Sequence, residues 1–402
     1  MVHIYYWHQE KHPHRLLFRS VARPAYWLIY ASQPHSGKIT QTPISLHSLK
    51  LRINRAGQTY PNKPMKKLLN TLYITRQKSY LHKERETIVI KQEGEKLGQF
   101  PAISIGNILC FGQVSVSPFL MGYCGEQGIG LAFYSAYGKF LAQVQGKQTG
   151  NVLLRRTQYR WADNEEKSLS IARLMVAAKI ANGRSVLMRE LRNHGENSLL
   201  SETVSKLATS LRRAQHAKSV SEAMGIEGDA ASSYFGVFNE LLRDSGFSFG
   251  GRVRRPPTDP INALLSYIYT LITHECTSAL QGVGLDPYVG FLHQDRPGRV
   301  SLALDLLEEF RAPWADRFVL TLINRKQVQQ KDFITEASGA VRLTDDARKT
   351  VLTAWQERKQ VEIIHPYLEE KVPIGLLPHC QAMLLARHIR GDTEYYPPYL
   401  VK

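Results

Sequence analysis

The sequence predicts an α+β fold, with a small β-rich domain followed by a larger all-helical domain. From residue 65 to about 148, short runs of β-branched and aromatic residues alternate with turn-prone Gly, Glu and Lys. Beyond about residue 149, apolar residues recur at helical spacing in long stretches. A chain of 402 residues has room for both, so we expect a β domain at 65–148 and a helical domain at 149–402.

The first 64 residues have a different composition from the rest. They contain nine Lys or Arg and one acid, a net charge of 9 − 1 = +8, and six of the 14 histidines. Prolines recur and no helical or strand period is sustained. We interpret 1–64 as a disordered extension or a start-site artefact of the reading frame, with a basic DNA-contacting tail as the alternative.

Short β-rich runs predict the strands of the β domain, and segments containing Gly, Glu and Lys mark its turns. One helix is expected within it, at 118–125, ahead of the turn glycines Gly128 and Gly130. The expected strands lie at 72–75, 87–91, 129–134 and 139–144.

The larger domain is predicted to be helical from its amphipathic stretches, at 168–181, 184–194, 199–217, 230–242 and 262–280. The last stretch contains Asn262, His274 and Glu275, which are costly in lipid, so we expect a buried helix and no membrane span. Four widely spaced cysteines favour neither a zinc ribbon nor a disulfide framework. A cytoplasmic protein is expected.

The positive charge of the chain predicts a polyanionic partner. Lys and Arg number 52 against 35 acids, a formal net charge of +17, so nucleic acid is the first partner to consider. A charge that only keeps the protein soluble is the alternative. We expect phosphate contacts from basic clusters, for which a solvated basic face is the competing interpretation: Arg155, Arg156, Arg252, Arg254, Arg255, Arg296 and Arg299.

Acids and a histidine flank a Pro-Gly turn at 290–311. His293 precedes the turn, and an acidic helix carrying Asp305 and Glu308 follows it. The spacing of i and i+3 puts both acids on one helix face, so the hairpin can bring them near His293 to hold a divalent cation. The alternative is a core histidine beside acids that favour the helix dipole. A third ligand must come from elsewhere.

Glu227 is the second candidate, because it lies between Gly225 and Gly228 at what reads as the entry to a helix. The alternative is an ordinary acid at a helix N-terminus.

Several strings together resemble the Cas-one family of CRISPR-associated integrases, from about residue 65 to the end. They are G-I-E-G-D-A-A-S-S-Y-F, D-P-I-N-A-L-L-S-Y-I-Y, and G-L-D-P-Y-V-G-F-L-H followed by R-P-G-R-V-S-L-A-L-D-L-L-E-E-F. At 182–184 the chain reads Asn-Gly-Arg where many relatives have Asn-Gln-Arg.

The resemblance implies a metal site. Glu227, His293 and Glu308 would ligate one divalent cation, with Asp305 as an auxiliary group in the same acidic cluster. Many relatives carry Asp at the position of Glu308, and Glu keeps the oxygen ligand. Two carboxylates and one imidazole suit Mn²⁺ or Mg²⁺.

The resemblance also implies an activity and partners. The enzyme would insert spacer DNA into a CRISPR repeat array, by attack of a 3′-hydroxyl on a phosphodiester, in defence against viruses and foreign DNA. A homodimer formed through the β domain, a dimer of the small Cas-two protein and a Cas-four nuclease are the expected protein partners. A general metal-dependent nuclease or resolvase and a non-catalytic DNA-binding scaffold remain as alternatives.

Overall fold

The computed structural model describes residues 71–135, 140–144, 146, 152–243, 246–253 and 256–401. The interpretation of 1–64 and the predicted DNA contacts of Arg254 and Arg255 lie outside these residues. Strands occupy 71–144, and helices dominate from 152 onward. The predicted α+β fold is therefore confirmed.

The β region contains two four-stranded sheets and one helix. The first sheet has the order β4-β3-β2-β6, in which β2, β3 and β4 are antiparallel and β6 runs parallel to β2: β2 (Ser79–Glu84), β3 (Thr87–Gln92), β4 (Glu95–Pro101) and β6 (Val114–Val116). The second has the order β1-β5-β7-β8, with only β8 antiparallel: β1 (Thr71–Ile74), β5 (Asn107–Phe111), β7 (Gly130–Tyr134) and β8 (Phe140–Val144). Helix α1 (Pro118–Gln127) connects them.

Strand β5 joins the two hydrophobic cores of the protein. Ile108 and Cys110 lie in the small core of the β region, whereas Leu109 and Phe111 lie in the large core of the helical region. Successive strand residues point to opposite faces, so a sheet with parallel central strands is buried on both sides. The β region and the helices therefore pack against each other through this sheet.

The helical region contains nine helices and two small hairpins within the described residues. The helices are α2 (Val152–Ala162), α3 (Glu165–His194), α4 (Ser198–Gln215), α5 (Val220–Gly236), α6 (Pro260–Val283), α7 (Ser301–Leu307), α8 (Arg317–Asn324), α9 (Asp345–Gln360) and α10 (Leu377–Arg390). The hairpins pair β9 (Phe333–Thr335) with β10 (Val341–Leu343) and β11 (Glu362–Ile364) with β12 (Lys371–Pro373). In the described part of the chain, no helix combines the length and the apolar character that crossing a membrane requires.

Two helix predictions were wrong at their boundaries. The stretches 168–181 and 184–194 form the single helix α3, since Gly183 is buried within it, where tertiary packing outweighs its low helix propensity. The helix expected from 230 begins at Val220 instead, because the Ser219 hydroxyl accepts the N–H of Glu222 and caps it. Glu227 therefore lies in the middle of α5 and not at a helix entry.

Candidate active site

The loop that carries His293 wraps around the carboxylate of Asp305. Asp305 is fully buried in α7 and accepts the backbone N–H groups of Phe291, Leu292 and His293 at 2.7–3.0 Å. The Nδ1 atom of His293 lies 2.6 Å from Oδ1 of the same carboxylate. Because the carboxylate only accepts, Nδ1 donates, and the lone pair of the imidazole is on Nε2.

Gly290 permits this close wrapping. A Cβ atom at this position would lie 2.9 Å from Asp305 Oδ2, from the His293 carbonyl oxygen and from Ser301 Cβ. Such a contact forces the backbone apart. The loop before it is also held, since the Gln158 side chain on α2 donates to the carbonyl oxygens of Asp286 and Val289 at 2.8 and 2.9 Å.

The other half of the site is a pair of carboxylates from two helices. Glu227 on α5 and Glu308 just after α7 both form ion pairs with the ammonium group of Lys179 on α3. The distance from Lys179 Nζ to Glu308 Oε2 is 2.6 Å. The guanidinium of Arg311 binds the same Glu308 oxygen at 2.9 Å.

Positive charge holds Glu308 in its ionised form. Burial alone would raise its pKa, but the charges of Arg311 and Lys179 outweigh burial and lower the pKa to about 2. Glu308 follows by three residues the Asp305 that holds His293, so the two halves of the site adjoin. Glu308 therefore presents a carboxylate at any ordinary pH.

The buried side chains of Tyr269 and Asp316 hold Arg311 in position. Its guanidinium stacks over the ring of Tyr269, 4.5 Å from the centroid, and the Tyr269 hydroxyl donates to Asp316 at 2.5 Å. Burial raises the pKa of Asp316 to about 6, against the opposing effects of this hydrogen bond and of Arg311. The stack keeps Arg311 against Glu308.

A small pocket, with a cavity volume of about 30 Å³, opens beside these charged groups. It is lined mostly by apolar surface, and Lys179, Glu227 and Arg311 reach its wall next to Gly183 and Tyr234.

The family model described as CRISPR associated protein Cas1 (Cas-one) matches residues 72–357. This chain belongs to the Cas1 family. A CRISPR-associated endonuclease Cas1 of Chlorobaculum tepidum is 52% identical over 341 residues, which cover 84% of this chain and 99% of the relative. A Cas4 exonuclease/Cas1 endonuclease fusion of Geobacter sulfurreducens is 35% identical over 82% of this chain and 60% of the fusion.

A solved Cas1 structure from Thermotoga maritima has the same fold. The two chains superpose with a TM-score of 0.71 at 25% sequence identity, over 82% of this chain and 99% of the other. The predicted family is thus confirmed, and the chain is a CRISPR-associated protein whose curated relatives bear the name endonuclease.

The structure gives different partners to the two acids that the sequence placed in one cluster. Asp305 lies against His293, as the hairpin predicts, and Glu308 follows it at i+3 in helical backbone conformation. Asp305 binds the His293 loop, while Glu308 binds Lys179 and Arg311. In this Cas1 chain Asp305 is thus a group that orients His293.

Lys179 and Arg311 were missed by the sequence reasoning. Lys179 is the one charged residue in the otherwise apolar run Met175–Ile180, and this placement could have identified it as a candidate. Arg311 directly follows the L-D-L-L-E-E-F string, at i+3 from Glu308.

The predicted DNA-contacting arginines differ in their freedom to bind phosphate. Arg156 on α2 and Arg296 in the turn after His293 are exposed, and Arg155 and Arg299 are half-buried. Arg252 instead donates to the Asn262 side chain at 2.6 Å and to Ser266 at 3.2 Å. Its guanidinium also lies over the Tyr269 ring, so Arg252 has a structural role.

The Asn-Gly-Arg segment at 182–184, where many relatives have Asn-Gln-Arg, includes a residue that binds the C-terminal segment. Asn182 donates to the carbonyl oxygens of Glu309 and Tyr399 at 2.9 and 2.8 Å. The Glu309 carboxylate accepts the hydroxyl of Tyr396 at 2.5 Å and the N–H of Tyr399 at 2.7 Å. Burial raises the pKa of Glu309 to about 7. The tail is thereby fixed to the residue that follows Glu308.

The residues present fit a divalent cation in their chemistry. Glu227 and Glu308 already bracket a single positive charge, that of Lys179, and His293 has a free nitrogen lone pair. As the side chains are placed, no three His, Cys, Asp or Glu groups in the described residues converge on one metal position. Binding a cation between them would require Lys179 to move.

Proposed function

We propose that this chain is a CRISPR adaptation integrase, a metal-dependent DNA endonuclease that inserts spacer DNA into the repeat array. The observation that carries the proposal is the convergence of Glu227 and Glu308 on one cation beside an imidazole oriented by Asp305. Phosphoryl transfer needs this combination of hard oxygen ligands and concentrated positive charge.

Glu227, Glu308 and His293 would hold one Mg²⁺ or Mn²⁺ ion, the two carboxylates through oxygen and the histidine through Nε2. The bound ion supplies Lewis acidity, which favours deprotonation of the attacking hydroxyl and neutralises charge on the phosphate. Asp305 acts through His293 as a positioning residue, since its hydrogen bond fixes which nitrogen faces the ion.

The reaction is a transesterification. The 3′-hydroxyl of the captured fragment loses its proton and forms a bond to phosphorus, while the bond from phosphorus to the 3′-oxygen of the repeat strand breaks. Water in place of the hydroxyl gives strand cleavage at the same site. Arg311, held by Tyr269, keeps Glu308 ionised and adds fixed positive charge next to the reacting phosphate.

Double-stranded DNA is the proposed substrate in both roles, as spacer fragment and as CRISPR repeat. Arg296 and Arg299 flank the His293 loop, and Arg155 and Arg156 lie on α2, whose Gln158 holds the segment before that loop. These side chains would bind phosphates and orient the duplex without reading bases.

We further propose a homodimer formed through the β region, bridged by a dimer of Cas2 (Cas-two). A Cas4 (Cas-four) nuclease is the third proposed partner, because a relative with 35% identity carries Cas4 and Cas1 in one polypeptide.

The test is strand joining by the full chain. The purified protein, with its Cas2 partner, is incubated with a supercoiled plasmid carrying the repeat array, a labelled fragment with 3′-hydroxyl ends, and Mn²⁺ or Mg²⁺. Glu227→Gln is the matched variant, since it keeps the shape of the side chain and removes its charge.

Label joined to the plasmid by the native protein, and lost with Glu227→Gln or with EDTA, is the expected result. Cleavage without joining would replace the proposal by a general nuclease. Salt-sensitive DNA binding with no activity to lose would replace it by a DNA-binding scaffold.

A further inference from the structure

Lys179 places an ammonium group between the two carboxylates of the site. It forms ion pairs with both Glu227 and Glu308, and its own side chain is 14% exposed. The ammonium is a compact point charge, and the carboxylates are the oxygen ligands that Mg²⁺ or Mn²⁺ would take. One monovalent cation from the protein thus sits where two acids would share a divalent one.

The two cations that bind Glu308 differ in how easily they can leave. Arg311 is joined to Glu308 through its own segment at i+3, and its planar guanidinium is stacked on Tyr269. Lys179 comes from α3 on a flexible four-carbon stem. Lys179 is therefore the group that can be displaced, while Arg311 stays.

A small pocket beside the site leaves the Lys179 side chain partly open to solvent. Lys179 and Glu227 both reach the wall of this pocket, whose volume is about 30 Å³, and the Lys179 side chain is 14% exposed. Gly183, one turn along α3 from Lys179, contributes no side chain to that wall. The displaced ammonium would turn toward solvent by rotation of its flexible stem, without movement of the helix.

We propose that Lys179 is an internal counter-cation that balances Glu227 and Glu308 until a divalent ion displaces it, so that it sets the metal affinity of the site. This inference rests on the proposed function, because it concerns the ion that those carboxylates would hold. Removing the ammonium leaves two acids in mutual repulsion and removes the competitor, and both effects favour the divalent ion.

The experiment measures Mn²⁺ binding to the full chain by the loss of the free-ion electron paramagnetic resonance signal. The native protein is compared with Lys179→Gln, with Glu227→Gln and with Lys206→Gln. Lys206 is 60% exposed and pairs with Glu202 away from the site, so its variant makes the same change in net charge.

We expect Lys179→Gln to bind Mn²⁺ on the order of tenfold more tightly than the native protein. Its melting temperature should be lower without metal and should rise more on adding Mn²⁺, while Lys206→Gln binds as the native protein does. Unchanged or weaker binding by Lys179→Gln overturns the inference and leaves the proposed function standing. Equal binding by native protein and Glu227→Gln overturns the proposed function itself, and the inference with it.

A measurement on the native protein covers the case in which Lys179→Gln does not fold. Brief acetylation with acetic anhydride, read by mass spectrometry, reports the accessibility of each lysine amine. Saturating Mg²⁺ should increase the labelling of Lys179 severalfold and leave Lys206 unchanged. Labelling of Lys179 that stays constant or decreases with Mg²⁺ contradicts displacement.

Discussion

The two halves of the candidate site are held by different forces. The His293 half is held by hydrogen bonds among residues at most 14 positions apart, all ending on the carboxylate of Asp305. The carboxylate half joins α3 and α5 to the segment after α7, through ion pairs of the Lys179 ammonium with Glu227 and Glu308.

The difference has a chemical consequence. A histidine held by a loop wrapped around Asp305 is preorganised, and a bound ligand need not rearrange it. A set of ion pairs between separate helices can instead exchange one cation for another at modest cost. The His293 half therefore orients the reaction, and the carboxylate half controls which cation is present.

Asp305→Asn should have the largest effect, because it breaks the His293 half. The amide cannot accept from the three backbone N–H groups and the imidazole as the carboxylate does, so buried donors lose their partner. We expect a loss of about 2–4 kcal/mol in the free energy of unfolding. Strand joining should fall by at least about 100-fold.

Denaturant unfolding and the joining assay check this prediction on the full chain. Metal-dependent joining at a native rate by Asp305→Asn would show that His293 needs no orienting group.

The pH dependence of Asp316→Asn tests the support beneath the carboxylate half. The pKa of Asp316 rises from its ordinary 3.8 to about 6 in the folded protein. Between these values the folded state holds a proton that the unfolded state has lost, so the contribution of Asp316 to stability falls as pH rises from about 4 to 6. It is constant above about pH 7.

Thermal unfolding of the native protein and Asp316→Asn from pH 4 to 8 measures this contribution as a difference. The native protein should lose up to about 3 kcal/mol relative to the variant across the window. Parallel stability curves, or a difference with the opposite slope, would be inconsistent with a raised pKa for Asp316.

Substitution of Arg296 should weaken DNA binding, whereas substitution of Arg252 should lower stability. Arg296→Ala, in the exposed turn after His293, should weaken DNA binding severalfold and reduce the slope of log K against log salt by about 1. Its melting temperature should not change. Arg252→Ala should lose about 1–3 kcal/mol of stability, because Asn262 and Ser266 lose their donor.

Fluorescence anisotropy at several salt concentrations, with a melting curve for each variant, distinguishes the two roles. A reduced salt slope for Arg252→Ala at unchanged stability would reverse the assignment.

Gly183→Ala should have the smallest effect, on the helix that carries Lys179. A Cβ at this position meets the Tyr234 ring at 3.5 Å, an ordinary contact. The variant should gain about 0.5–1 kcal/mol of stability through lower backbone entropy in the unfolded chain. Gly225→Ala, where a Cβ meets nothing within 4 Å, is the matched control in α5. A loss of stability in Gly183→Ala alone would indicate that the cavity tolerates no added atom.

The sequence predicted the local half of the site and the class of the fold. Strands at 87–91 and 129–134 appear as β3 and β7, because a run of β-branched and aromatic residues bounded by turn residues is a local property. The turn before Arg299 forms as expected, with Gly298 at φ 73°. The Cas1 family was also recognised from its strings.

The carboxylate half was less predictable for a physical reason. Lys179 and Glu227 are 48 positions apart, and only the packing of α3 against α5 brings them together. Spacing at i and i+3 suggested that Asp305 and Glu308 act together, but Asp305 binds the His293 loop and Glu308 binds Lys179 and Arg311. Which acids face a common cation is decided by tertiary packing, which no local pattern encodes.

The most direct test of the account is whether the imidazole of His293 binds the same ion as the two carboxylates. Electron spin-echo spectroscopy of Mn²⁺ bound to the full chain detects coupling to a directly ligated nitrogen. The account predicts a nitrogen coupling in the native protein and in the exposed-histidine control His216→Gln, and its loss in His293→Gln while Glu227-dependent Mn²⁺ binding persists. A coupling that survives in His293→Gln, or that is absent from the native protein, would contradict a site built from Glu227, His293 and Glu308.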